Sequence, residues 1–200
     1  MKVLDLFCGA GGAAAGIKAA LPEAEIIGVD IKPQPRYPFR FIQADAMSFP
    51  LGRYDLVWAS PPCQHYTQML NHGMTPRNNH PDYIEELRKR LIGRWFVIEN
   101  VLGAPLLNPV QLCGEMFGLR VMRHRFFETS FKVEQPIHLK HKGRGIRKQN
   151  DGGYYYRVYG HETGKRQWGA AMGIDWMKSH ELAQAIPPAF SKYIVKKWLA

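Results

Sequence analysis

A chain of 200 residues, 46% of them hydrophobic, is long enough for one domain with a full core and too apolar for wholesale disorder. No apolar run reaches the length of a membrane span, and three scattered cysteines (Cys8, Cys63, Cys113) argue against a disulfide framework and for a reducing cytoplasm. The formal net charge of +10 asks for a polyanionic partner or a strongly solvated face. No cysteine belongs to a CxxC pair and the eight histidines show no paired ligand spacing, so no metal is expected.

Lys2 to Phe7 reads as a strand that begins at once, which leaves no room for a signal peptide. Cys8-Gly9-Ala10-Gly11-Gly12 then turns the chain into a small-residue helix, Ala13 to Ala20. A glycine-rich turn of this kind lets backbone amides and a helix N-terminus approach a polar ligand. Glu25 to Val29 is a second strand ending in Asp30, and Phe39 to Ala44 a third ending in Asp45. In a dinucleotide-type fold an acid after the second strand bonds a ribose. A carboxylate after the third is placed to accept from an adenine amino group. Each aspartate alone reads as a solvated strand end; together with the turn they indicate an adenosine-bearing cofactor.

Tyr54 to Ala59 is a buried strand stopped by Pro61 and Pro62, which carry Cys63 out on a stiff loop. The polar stretch His65 to His80 reads as a mobile active-site loop, and Pro81 to Leu91 as an amphipathic helix. Trp95 to Ile98 is the next strand, running into Glu99-Asn100-Val101. Val110 to Cys113 and Gly118 to Met122 read as short extended pieces, and Arg123 to Glu128 alternates charged and apolar residues. Between Phe131 and Arg166 stand nine Lys or Arg against three Asp or Glu, interleaved with glycine and tyrosine. That mixture suits phosphate contacts and base stacking, with Lys140, Lys142, Arg144, Arg147, Lys148 and Arg157 as the contacts. The chain turns helical again from Arg166. Its last helix, Ala189 to Leu199, carries Phe190, Ile194 and Trp198 as a packing stripe.

These residues together resemble the DNA cytosine-5 methyltransferase family. Asp5-Leu6-Phe7-Cys8-Gly9-Ala10-Gly11-Gly12 is similar to its cofactor motif, Pro61-Pro62-Cys63-Gln64 to its nucleophile loop, and Glu99-Asn100-Val101 to its acid motif. Arg123-His124-Arg125, Met172-Gly173-Ile174 and Ala185-Ile186-Pro187-Pro188 resemble the later motifs, in the family's order. Three positions depart from the pattern. Val121 stands where the family has glutamine, Ala183-Gln184 where it has Gly-Asn, and Asp30 where it has glutamate.

The resemblance implies an α/β, Rossmann-like S-adenosylmethionine-dependent fold: a mostly parallel sheet with helices on both faces. Residues 1–130 would form the core, 131–165 a short basic recognition segment, and 166–200 helices packing back. Cys63 would add to C6 of a cytosine so that C5 attacks a methyl sulfonium, with the base flipped out of its duplex. Glu99 would bond the N3 and N4 edge with its pKa raised by burial, Arg125 the O2 side, and Arg123 would support the site. Nearby arginines would favour the Cys63 thiolate. S-adenosylmethionine or a modified analogue would lie against Phe7, Gly9, Gly11, Asp30, Ile31, Asp45, Ala46, Pro62 and Gln184, with Gln64 on the nucleic acid. Cys8 and Cys113 read as small buried residues. The partner implied is double-stranded DNA, bound by a monomer away from any membrane. Three alternatives stand beside this reading: an N4-cytosine or N6-adenine amino-methyltransferase, an RNA cytosine-5 methyltransferase, and an inactive DNA-binding homologue.

Overall fold

The structure is a computed structural model that describes residues 1–66, 81–141, 143, 154–156, 158 and 165–200. Its frame is a seven-stranded sheet: β1 (Lys2–Leu6), β2 (Glu25–Asp30), β3 (Arg40–Gln43), β4 (Leu56–Ala59), β5 (Phe96–Asn100), β6 (Val110–Leu112) and β7 (Arg125–Thr129). The strand order is β3-β2-β1-β4-β5-β7-β6. β1 to β5 run parallel, whereas β7 pairs antiparallel with both β5 and β6. The order reverses between β1 and β4, and a crevice outside the carboxyl ends of two such strands is where open α/β sheets bind ligands.

The central strands are buried on both faces, so they read as continuous apolar runs. Val3, Trp58, Val97 and Phe127 pack under α1 (Gly12–Ala20) and α5 (Pro188–Trp198), against Ala14, Ile17, Phe190 and Ile194. Leu4, Leu6, Val57, Ala59 and Ile98 point the other way and pack on Ile84, Leu87 and Leu91, on and just after α2 (Ile84–Arg90). A third cluster joins Val121 and Val158 to Trp168 and Met172 of α3 (Lys165–Met172) and Leu182 of α4 (Ser179–Gln184). Gly16 explains the closeness of α1 and α5: a Cβ there would stand 1.9 Å from Pro188 O and 2.1 Å from Ser191 Oγ. Ser191 instead donates its hydroxyl to Ala13 O at 2.8 Å, a side-chain clamp across the two helices.

Two expected extended pieces come out differently. Val110 to Leu112 is strand β6, but Gly118 to Met122 contributes only an isolated bridge from Val121 to Tyr156. Gly118, with φ of 71°, ends the 3-10 helix Gly114–Phe117 and turns the chain away before it can pair. The alternating run expected over Arg123 to Glu128 becomes β7 two residues later than it begins in sequence, because Arg123 is diverted to other partners. Residues 67–80 of the expected active-site loop, and Lys142, Arg144, Arg147, Lys148 and Arg157, lie outside the described residues. Among the described residues no helix is long and apolar enough to cross a membrane.

Candidate active site

The carboxyl ends of β1, β2, β4 and β5 converge with the beginning of β7. Antiparallel pairing sets Asn100 opposite Phe126, so Arg125 enters at the edge where β5 leaves. This register brings Glu99 and Arg125 together from positions 26 residues apart in sequence.

At the β1 end, Phe7 adopts a φ of 56° and Gly11 one of 86°. The left-handed turn is natural for Gly11 but strained for Phe7, and such strain gathers at ligand sites. A Cβ on Gly11 would also stand 2.6 Å from Pro38 Cδ. The turn is held from three sides. Gly9 N donates to Asp30 Oδ2 at 3.0 Å, Trp176 Nε1 to Ala10 O at 2.8 Å, and the Phe7 ring stacks on Tyr83 with centroids 5.8 Å apart. Space opens beside Gly9, where an added Cβ meets nothing within 4 Å.

Asp30 has two tasks in this arrangement. Its Oδ1 accepts from Lys32 N at 2.9 Å while Oδ2 holds the glycine turn, and each oxygen keeps a further lone pair for a ligand. Ile31 follows it, 66% exposed, an apolar surface beside the acid. Asp45 is exposed and closes a turn, accepting from Met47 N at 2.9 Å and Ser48 Oγ at 3.3 Å. Ala46 departs from its expected role. The whole residue is buried in the cluster beneath α2, and its carbonyl accepts from Arg90 Nη1 at 3.0 Å. Gln184 is exposed at the end of α4, next to Ala185, whose Cβ packs against Gly12.

The β4 end is built differently. Pro61 O accepts from the buried Asn100 Nδ2 at 3.1 Å, so the strand that supplies Glu99 also fixes the loop that supplies Cys63. Pro62 and Cys63 are half-buried, and Gln64 is exposed. Arg125 Nε lies 3.0 Å from Glu99 Oε1, while its Nη1 donates to His124 O at 2.8 Å. Burial raises the Glu99 carboxyl; Arg125 and Arg123 pull it back, as does a hydrogen bond with Ser60. Ser60 in turn accepts from Trp58 Nε1 at 3.0 Å. The net direction is upward, the sense needed by a group that is to donate to an unprotonated ring nitrogen.

For Cys63 the expected thiolate does not follow. Arg125 and Arg123 do lower the thiol, but burial and the charge of Glu99 outweigh them, and its pKa is raised. Burial, the largest cause, favours the protonated sulfur, with Arg125 and Arg123 pulling against it. Arg123 is buried and acts as a tie: Nη1 donates to Val158 O at 2.9 Å and Nη2 to Ala183 O. Its Nε has no hydrogen-bond partner among the described residues. Burial and the neighbouring Arg125 disfavour its charge, offset by Glu99 and Cys63. Of the expected nucleic-acid residues, Lys140 is exposed on an extended run without regular structure.

Sequence reasoning missed Ser60, Asn100, Tyr83 and Trp176 as parts of this site. Asn100 stands inside the Glu99-Asn100-Val101 motif and Ser60 directly precedes Pro61, so both carried a signal through their position, but Tyr83 and Trp176 reach the glycine turn only through the fold. It also missed Asp5. This carboxyl is fully buried and raised to about 8, chiefly by desolvation; Tyr37 donates to its Oδ2 at 3.2 Å.

No protein-family model matches the sequence, and no curated protein matches it. Among solved structures, the Entamoeba histolytica methyltransferase EhMeth superposes with a TM-score of 0.61 at 10% identity, covering 98% of this chain and 97% of that one. An RNA methyltransferase from Salinibacter ruber, solved with S-adenosyl-L-homocysteine, gives a TM-score of 0.38 at 17% identity over 68% of this chain and 86% of its own. The plantazolicin methyltransferase BpumL gives 0.34 at 19% identity, over 50% of this chain and 39% of its own. The first likeness, full-length and above half in score, identifies the architecture: the chain has a Rossmann-like methyltransferase fold.

Proposed function

We propose that the chain is an S-adenosylmethionine-dependent methyltransferase that alkylates C5 of a cytosine in DNA. The observation that carries this reading is the Glu99–Arg125 pair, buried beside the half-exposed Cys63 at the carboxyl edge of the sheet, one strand from the glycine turn. An acid pushed toward its protonated form, a guanidinium at 3.0 Å from it and a thiol within their field match the three edges of a cytosine ring.

The turn after β1 fits the cofactor. The open space beside Gly9, the spare lone pairs of Asp30 and the exposed face of Ile31 offer a cradle, a ribose acceptor and an apolar platform, with Phe7 bordering them. When bound, S-adenosylmethionine supplies an electrophilic methyl group. Gly9, Gly11 and Pro62 would border it, and Asp45 would accept from the adenine amine.

The chain's own residues then do the following. Cys63 loses its proton to solvent and its sulfur forms a bond to C6 of the cytosine, while Glu99 donates its proton to N3 as charge builds on the ring. Addition at C6 turns the ring into an enamine, whose C5 would take the methyl group as its bond to the cofactor's sulfonium breaks, leaving the cofactor as a neutral thioether. Loss of the C5 proton to a base expels the Cys63 sulfur and restores the ring, and Glu99 takes its proton back. Arg125 holds the O2 edge and Arg123 fixes the wall behind it. The +10 charge supports a polymeric, anionic substrate, with Lys140 among the phosphate contacts and Gln64 beside the flipped base.

Mechanism-based trapping tests this. The full chain, mixed with S-adenosylmethionine and a duplex carrying 5-fluorocytosine in random context, forms a covalent adduct that maps to Cys63. Absence of any adduct, with duplex or single strand, overturns the reading; an adduct only on RNA would move the substrate and keep the chemistry.

A further inference from the structure

Directly behind the arginine pair lies a cluster that the proposed chemistry does not use. Cys113, which follows β6, meets His124, which precedes β7, and His138 and His141 from the extended run beyond it. One donor atom from each lies within 4.8 Å of every other. We propose that these four residues form a closed tetrahedral site for a zinc-class divalent ion, fastening the root of the basic segment to the catalytic sheet.

Donor geometry is the first support. Zinc bonds of about 2.0–2.3 Å in a tetrahedron set neighbouring donors about 3.3–3.8 Å apart. His124 Nε2 and His138 Nε2 stand 3.4 Å apart. The widest pair closes by about 1 Å to reach that range, within the reach of side-chain rotation. The three imidazole centroids lie 4.9 to 5.2 Å from one another, a ring of nitrogen donors around a shared point.

The outer groups are the second. His141 Nδ1 lies 2.8 Å from Glu115 Oε2, the carboxylate–histidine pairing that orients metal-bound imidazoles and leaves Nε2 for the ion. The Cys113 sulfur accepts from a backbone amide of the 3-10 helix Gly114–Phe117. Amides of that kind stabilise a thiolate. Binding expels the Cys113 proton to solvent, so the ion's two positive charges meet one thiolate and one carboxylate, and the charges of the site balance.

The segment's own packing is the third. Ile137 is 82% exposed and Leu139 70% exposed, so the chain around His138 buries little apolar surface and needs another fastening. The expectation of no metal is revised accordingly, and Cys113 is more than a small buried residue. The signal in sequence was His138-Leu139-Lys140-His141, two histidines separated by two residues, with Cys113 and His124 supplied by the fold. Four protein donors leave no open position, which makes the site structural rather than hydrolytic.

Cobalt is the probe. The full chain, produced without a histidine tag and stripped with chelator, takes up one equivalent of Co²⁺, giving the intense visible bands of tetrahedral cobalt and a thiolate charge-transfer band, both abolished by Zn²⁺. Cys113→Ser removes the charge-transfer band. Glu115→Gln weakens Zn²⁺ binding about 10–100-fold, and His138→Ala, which alters an exposed side chain and leaves the fold intact, weakens it further. Pale six-coordinate cobalt, a charge-transfer band that survives in Cys113→Ser, or unchanged affinity in His138→Ala each overturns the site. None of these readouts depends on methyl transfer, so the site and the proposed activity stand or fall separately.

Discussion

The two halves of the sheet's carboxyl edge are organised on different principles. On the β1–β2–β3 side the acids accept from backbone amides: Asp30 from Gly9 N and Lys32 N, Asp45 from Met47 N. On the β4–β5–β7 side they are tied by side chains from distant segments: Asn100 to Pro61, Arg125 to Glu99, Arg123 to Val158 and Ala183. A cofactor-type site needs fixed acceptors, and backbone amides hold them in place. A catalytic site needs groups whose protonation can change, and burying them among one another provides that.

The largest effects should come from the second half. Cys63→Ala abolishes adduct formation and lowers methyl transfer on the order of 10⁶-fold, the scale at which loss of a nucleophile acts in other enzymes. Glu99→Gln lowers turnover about 10²–10⁴-fold, yet should make Cys63 alkylate faster with iodoacetamide at a given pH. Glu99 raises the thiol, so removing its charge lowers it. Opposite signs in the two assays are the mark of a shared field. Slower alkylation in Glu99→Gln would show that the two groups do not share one.

Arg123 is a sharper test of whether this half is held from afar. Lysine keeps the charge but has no fork to reach two carbonyls at once. Arg123→Lys should therefore lose about 2–4 kcal/mol of stability in urea, with the loss seen in the folded chain before any substrate is added. An unchanged urea midpoint would mean that the ties to Val158 O and Ala183 O carry little, and that Arg123 belongs with the substrate-facing group instead.

The same contrast explains what could be read from the residues alone. The glycine turn, Asp30, Asp45 and the strands before them follow from local pattern, because apolar runs, breakers and acids at strand ends are themselves the structure there. The Cys63 and Glu99 loops were legible as chemistry. Their mutual position was not, since it depends on β7 turning antiparallel and on Asn100 gripping Pro61. Burial was the least legible quantity. Nothing local distinguishes an exposed Arg123 from the buried one found, and the thiol of Cys63 was expected to be lowered when burial in fact raises it. The zinc-class cluster is the extreme case, with four donors from three segments.

Asp5 breaks the pattern, because it is a buried titratable group on the local side. Folding raises its carboxyl from 3.8 to about 8 through desolvation, helped by the charge of Asp30 and opposed by the bond from Tyr37. Below about pH 4 the group is neutral folded or unfolded, and its neutral form is fully compatible with the core. Between about pH 4 and about 8 the unfolded chain gives up this proton and the folded chain keeps it, so rising pH favours unfolding by about 1.4 kcal/mol per unit. Above about 8 the loss levels off. Asp5→Asn keeps an acceptor for the Tyr37 hydroxyl and has no proton to lose, so its stability lacks this slope. The gap between variant and parent, measured as urea midpoints from about pH 5 to about 7.5, should widen steadily with pH. A constant gap would mean that Asp5 ionises in the folded chain, and that the glycine turn rests on a charged floor shielded by Tyr37 rather than on a neutral one.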